Sequence, residues 1–146
     1  MIDVKIKLLR EGAKIPTYGS ELAAGADLYA SIPDSIHIPP HETQKIGSGI
    51  ACELPKGYCA FIMARSGLAT KEGLRPANCV GLCDEDYRGE YIVAIHNDSE
   101  VERIIEPGER IAQVVFMPYV QANFEVNDEL SDTERGSGGF GSSGRK

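Results

Sequence analysis

The chain has 146 residues, enough for one domain with its own core and too few for two. Hydrophobic residues make up 42% and charged residues 25%, and no apolar run approaches the roughly 20 residues of a membrane helix. Fifteen Lys and Arg against 22 Asp and Glu leave a net charge of −7, which repels a nucleic-acid backbone, so neither nucleic acid nor a membrane is an expected partner.

From the N-terminus the pattern is two-fold. Val4, Ile6 and Leu8 alternate with Asp3, Lys5 and Lys7, which predicts a strand with one wet face. No apolar leader core is present there, so a cytoplasmic protein is expected. Further strands are expected over 25–30, 35–38, 43–53, 57–63, 79–82, 90–97, 101–105, 110–118 and 123–126. Turn residues such as Pro33, the Pro39–Pro40 pair, Pro55 to Gly57 and Pro107–Gly108 punctuate them. Only Ser66 to Glu72, stopped by Gly73, reads as a turn or two of helix. This pattern predicts an all-β fold, a sandwich, barrel or jelly roll. Tyr91 to Ile95 and Ile111 to Met117 are apolar on both faces, which points to a homo-oligomer that covers the second face. Apart from Phe140 the apolar residues stop after Leu130, so the expected organisation is an ordered domain over 1–130 and a flexible Gly/Ser-rich arm over 131–146.

The four cysteines, Cys52, Cys59, Cys79 and Cys83, form no CxxC pair and read as small buried hydrophobes with free thiols. The two prolines between His37 and His41 forbid a helix that would align them, and His96 closes an apolar strand. The histidines therefore read as structural.

Three interior stretches break the strand pattern. AAGADLYA, Ala23 to Ala30, carries one carboxylate, Asp27, among small residues. In ARSGLA, Ala64 to Ala69, Arg65 leaves a strand and Ser66 stands where it could cap the following helix. This is either an anion site or a surface arginine beside an ordinary cap. In GLCDEDYRGEY, Gly81 to Tyr91, an apolar strand runs into three acids and returns as a hairpin. Its tip is either a solvated acidic turn or the seat of a general base. Asp84 is then the expected base, because it joins the apolar strand directly, while Glu85 and Asp86 should lie further out in solvent.

The chain ends RGSGGFGSSGRK. Gly139 to Lys146 spaces two glycines like a phosphate-binding loop, but Arg145 takes the lysine position and no helix follows. What survives is an anion-gripping arm. Arg135 offers a bidentate fork, Ser142 and Ser143 offer hydroxyls, and Phe140 offers a flat face for a base.

Taken in order, AGADLYA, ARSGLA, NCVGLCDEDYRG, GERIAQ and RGSGGFGSSG resemble the five motifs of the trimeric deoxyuridine triphosphatases, across roughly residues 23 to 144. The resemblance implies a β jelly roll and a homotrimer with shared active sites. It implies hydrolysis of dUTP to dUMP and pyrophosphate with Mg²⁺, which limits uracil in DNA and supplies dUMP. Asp84 would activate the water that attacks the α-phosphorus. Tyr87 would pack under the deoxyribose and exclude a 2′-hydroxyl. Asn78, Gly81, Leu82 and Cys83 would read the uracil edge, with Ile92 beside them. Arg65, Ser66, Gly67 and Gln113 would hold phosphates, and Asp27 would place the metal through water. Arg135, Phe140, Gly141, Ser142 and Ser143 would close over the substrate. Three positions depart from the family pattern: Ala64 where Pro or Gly is frequent, Ala26 where an aromatic is frequent, and Cys83 in place of Ile. The thiol of Cys83 would make the site open to oxidation or alkylation. A deoxycytidine triphosphate deaminase, alone or bifunctional, shares this architecture and is the alternative.

Overall fold

The computed structural model describes residues 1–139, so Phe140, Gly141, Ser142 and Ser143 lie outside the described residues. Eleven strands run in chain order: β1 (Lys5–Leu8), β2 (Thr17–Tyr18), β3 (Ala26–Tyr29), β4 (Ile36–Ile38), β5 (Thr43–Glu53), β6 (Tyr58–Met63), β7 (Leu74–Pro76), β8 (Val80–Cys83), β9 (Glu90–Asn97), β10 (Arg103–Ile105) and β11 (Arg110–Pro118). They form a four-stranded sheet ordered β1-β5-β9-β7, a five-stranded sheet ordered β2-β3-β11-β6-β8, and the pair β10-β4. Every pairing is antiparallel. The expectation of an all-β fold holds.

Alternation builds the core. Along β9, Tyr91, Val93, Ile95 and Asn97 are buried while Ile92 is 49% exposed. Ile46 and Ile50 of β5 join them in one cluster with Leu28 of β3, Ile62 of β6 and Val114 of β11, so the inner faces of the two large sheets share a single core. Each such side chain is worth about 1.5–3 kcal/mol when removed from water. Some apolar side chains also stand open outside this core: Ile92 of β9 and Met117 of β11 are half exposed.

Buried polar groups are satisfied. Asn97 is fully buried, yet its amide donates to the carbonyls of Ile38 (2.9 Å), Pro39 (3.3 Å) and Val101 (2.8 Å). Its side-chain oxygen accepts from the amide and hydroxyl of Ser99. One side chain thus ties the end of β9 to the loops that follow β4 and precede β10.

The structure departs from the sequence reading at four places. β2 and β7 were not expected. β2 is two residues long, and β7 ends in Pro76, which a sheet tolerates because β7 is an edge strand. Residues 123–126 form no strand; Phe124 and Val126 stand exposed beyond the end of β11 at Pro118. The helical turn adopts π geometry over Leu68–Glu72 and closes on Gly73 in the left-handed conformation, φ 72°. Ser66 does not cap it: no side-chain cap bond is made at its start, and the Ser66 carbonyl accepts from the hydroxyl of Thr70 at 2.7 Å. Among the described residues no helix is long and apolar enough to cross a membrane.

Candidate functional site

Asn78, Gly81, Leu82, Cys83, Asp84, Tyr87 and Ile92 line one cavity of about 220 Å³, together with Ile62, Glu90 and Tyr91. One wall is β8, the edge strand of the five-stranded sheet. It pairs with β6 along one side only, through Gly81↔Ile62 and Leu82↔Phe61, so its other side presents unpaired amides and carbonyls. Gly81 keeps this wall flat; a Cβ there would approach Ile62 Cβ and Asn78 Nδ2 at 3.3 and 3.4 Å. The strand is entered through a tight turn. Cys79 takes a left-handed φ of 63°, its amide bonds Pro76 O at 3.0 Å, and the amide of Val80 bonds Asn78 O at 2.7 Å. A branchless backbone would suit that φ better, so the turn holds strain at the mouth of the cavity.

Asp84 follows β8 directly and is exposed at the rim. Among the described residues no hydrogen bond or ion pair restrains its carboxylate. Its neighbour behaves differently from the sequence expectation. Glu85 is half buried, and its carboxylate accepts from the amide of Gly57 (2.6 Å) and the hydroxyl of Tyr119 (3.0 Å). These two bonds, the Gly57 amide first, hold the Glu85 carboxyl below the usual carboxylate range. Arg88 closes the same turn by donating to Glu85 O at 2.6 Å. Asp84 is therefore a free carboxylate on a fixed turn.

The ring of Tyr87 stacks on that of Tyr91, with centroids 6.3 Å apart and planes inclined by 22°. Its hydroxyl donates to Glu90 O at 3.0 Å. Gly89 leaves the space for this fold-back, because a Cβ there would collide with the phenol. Cys83 is buried against the same wall. Burial, ahead of the neighbouring Cys52, pushes its thiol up to about 11. That finding runs against the expected reactivity of Cys83, since the thiolate is the reacting form. All four thiols are free and three are buried, as expected, while Cys79 is exposed.

A second cluster forms where β3, β6 and β11 meet. Gln113 sits opposite Asp27 on one side and Met63 on the other. Its amide donates to Ala64 O at 2.9 Å, which fastens β11 to the loop carrying Arg65, Ser66 and Gly67. Gly25 makes room for it, since a Cβ there would lie 2.5 Å from Gln113 Oε1. Asp27 accepts from Arg65 Nε at 2.8 Å and from Arg110 Nη1 at 3.1 Å. One half-buried carboxylate thus orients two guanidinium groups, while Ser66 and Gly67 stay exposed beside them. Arg110 lies within GERIAQ, but nothing in its spacing to Asp27 could reveal a contact that only the sheet creates.

None of the second cluster lines the base-sized cavity, and none of the cavity residues joins the second cluster. Arg135 stands apart from both; it folds back onto its own turn, donating to Gly138 O at 2.8 Å. The histidines also lie elsewhere. His37, His41 and His96 each face an acid of the 98–102 loop, namely Glu102, Glu100 and Asp98. Sequence reasoning missed Ile62, Glu90 and Tyr91 as cavity residues. Alternation alone marks Ile62 and Tyr91 as core.

A family model for dUTPase matches residues 11–144. The chain belongs to the dUTPase family. Among curated members, the deoxyuridine 5′-triphosphate nucleotidohydrolase of Desulfitobacterium hafniense is 47% identical over 146 residues, covering 98% of this chain and 97% of that one. The protein of the same description from Hydrogenobaculum is 48% identical over 141 residues, 97% of each chain. The dUTPase of Staphylococcus bacteriophage 80alpha, solved with dUPNHPP, superposes with a TM-score of 0.90 at 29% identity, over 97% of this chain and 98% of that one. The dUTPase of S. aureus phage phi11, whose structure concerns a structural Mg(II) ion, is 21% identical with a TM-score of 0.80, over 89% and 99%. At that identity it bears on the fold alone. The two-sheet architecture described above is thus the jelly roll of the dUTPase family.

Proposed function

We infer that the chain hydrolyses dUTP to dUMP and pyrophosphate at the cavity beside β8. The observation that carries this reading is an unrestrained carboxylate, Asp84, at the rim of a narrow slot walled by a half-paired strand, in a member of the dUTPase family.

Uracil presents an acceptor, a donor and an acceptor along one edge, which complements a row of free amides and carbonyls on β8 with Asn78 at its entry. The flat wall at Gly81 lets the base approach the backbone and leaves little room for a 5-methyl group. Cytosine would leave groups of the slot unpaired at a cost of about 1–3 kcal/mol each, which favours dUTP over the deaminase alternative. Tyr87, stacked on Tyr91, offers its ring to the sugar and crowds a 2′-hydroxyl. Asp84 takes a proton from water. The water oxygen bonds to the α-phosphorus, the bond from that phosphorus to the bridging oxygen breaks, and pyrophosphate leaves with the electron pair.

The triphosphate needs cations that the cavity lacks. Arg65, Ser66, Gly67 and Gln113 form a cluster of that character, and its separation from the cavity within one chain supports a homotrimer in which a second copy completes each site. The open apolar side chains of Ile92 and Met117 support the same assembly. Arg135, Phe140, Gly141, Ser142 and Ser143 are the arm residues that would then close over the phosphates and the base.

Among the described residues no group of three or more His, Cys, Asp or Glu could hold a metal. The carboxylate of the second cluster, Asp27, is already shared by two guanidinium groups. This donor set does not suit a protein-built cage. It suits Mg²⁺ that rides on the phosphates and keeps its waters, with Asp27 as the residue able to accept from one of them. When bound, Mg²⁺ would neutralise phosphate charge and polarise the reacting phosphorus.

The deciding experiment is pyrophosphate release from dUTP, dCTP, dTTP and UTP in the presence of Mg²⁺. Turnover is expected with dUTP, and Asp84→Asn is expected to lower it by about 10²–10⁴. Near-normal turnover by that variant would remove Asp84 from the mechanism.

A further inference from the structure

The pairing of β5 with β9 is broken near the cavity. Gly47 faces Ile92, the next pair is Ala51 with Glu90, and the three residues between bulge out of register. Between these two pairs the ladder is interrupted, and side chains bridge the gap. The Glu90 carboxylate accepts the amide of Gly49 at 2.8 Å, and the hydroxyl of Ser48 bonds Tyr91 O at 2.5 Å. Arg10, eighty residues away in sequence, grips Glu90 with both nitrogens, at 2.8 and 2.6 Å, and donates to Ser31 O at 3.0 Å. The fit is close. A Cβ on Gly47 would lie 2.5 Å from the Glu90 carboxylate and 3.2 Å from Arg10 Nη1.

The backbone oxygen of the clamped residue is the acceptor for the Tyr87 hydroxyl. The sugar platform is thereby fastened to a residue whose own side chain is fixed by Arg10 and the amide of Gly49. Removing Arg10 leaves a half-buried carboxylate with one partner. It would swing toward water and draw the start of β9 with it. We propose that Arg10 and Glu90 are positioning residues that set the place of Tyr87, and through it the discrimination between deoxyribo- and ribonucleoside triphosphates. The inference rests on the role given to Tyr87 above.

The test compares kcat/KM for dUTP and UTP, with Mg²⁺, across Arg10→Met, Arg10→Lys, Gly47→Ala and Tyr87→Ala. Arg10→Met is expected to lower the dUTP-over-UTP ratio about tenfold, the scale of one lost positioned hydrogen bond. Arg10→Lys keeps the charge without the fork and should recover part of the ratio. Gly47→Ala leaves both partners present but pushes the carboxylate aside, and should lower the ratio as Arg10→Met does. It carries the test if Arg10→Met does not fold. If Tyr87→Ala collapses the ratio while Arg10→Met and Gly47→Ala preserve it, the clamp has no such role and the Tyr87 reading stands. If Tyr87→Ala preserves the ratio, the Tyr87 reading fails and the clamp inference fails with it.

Discussion

Glu85 and Gly57 are joined by a 2.6 Å hydrogen bond from the amide of one to the carboxylate of the other, across 28 residues of sequence. Tyr119 completes the junction, because its hydroxyl donates to Glu85 and its amide donates to Gly57 O at 3.0 Å. The residue beside Asp84 therefore binds both the β5–β6 turn and the point where the chain leaves β11. Glu85→Ala should lower kcat for dUTP by about tenfold with little change in KM, since Asp84 loses its placement and the slot does not. Glu85→Gln keeps an acceptor and should retain most of the rate. Equal losses in both variants, or none in either, would show that the junction does not set Asp84.

Asn97 should be the most costly polar residue to remove from the core. Its side chain serves three carbonyls and two donors of Ser99 without any solvent. Asn97→Leu strands these groups, and a loss of about 3 kcal/mol in unfolding free energy is expected from chemical denaturation. A loss well under 1 kcal/mol would mean the loops rearrange to satisfy themselves.

Acid should loosen the clamp. The hydrogen bonds from Arg10 outweigh the opposing effect of burial and, with the amide of Gly49, hold the Glu90 carboxyl below the usual range. A carboxyl depressed in the folded state binds its proton more readily when unfolded. Its contribution is therefore complete above the ordinary glutamate value of about 4.3 and is lost as pH falls through the lower folded value. Denaturation midpoints should hold steady down to about pH 5 and then decline. Glu90→Gln should start lower near neutrality and decline less steeply. An unchanged acid slope in that variant would exclude Glu90 as a contributor.

The cysteines should react in an order opposite to their closeness to the base. Cys83 is buried, and burial pushes its thiol up to about 11, so little of the reactive thiolate is present near neutral pH. Cys79 is exposed. Iodoacetamide should modify Cys79 first, as read by peptide mass spectrometry, with Cys83 unmodified at the same exposure. Early modification of Cys83 would mean that the slot opens in solution.

Much of this architecture could be read from periodicity. The expected strands over 43–53, 90–97 and 110–118 match β5, β9 and β11 residue for residue, because each is long and its inner face is mostly apolar. β2 and β7 were not legible; two or three residues carry no period, and only a neighbouring strand makes them strands. The polar–apolar alternation at 123–126 misled for the complementary reason, since β propensity without a partner strand produces no ladder. At the site, the tip acids could be ranked only by distance from the apolar strand. That ranking put Asp84 at the strand end but wrongly left Glu85 in solvent, because its anchors, Gly57 and Tyr119, are remote in sequence. The same holds for Arg10 with Glu90 and for Arg110 with Asp27. Partnerships created by folding leave no local trace.

A selective surface made from main chain has an evolutionary cost of its own. Every residue type except proline carries the same amide and carbonyl, so most exchanges of the side chains of Val80 or Leu82 rewrite nothing along the half-paired border of β8. Sliding that strand by one residue would reverse which groups give and which receive. New preferences along this border would therefore arise through insertions or deletions in the Asn78–Cys79 turn more readily than through point changes within the strand.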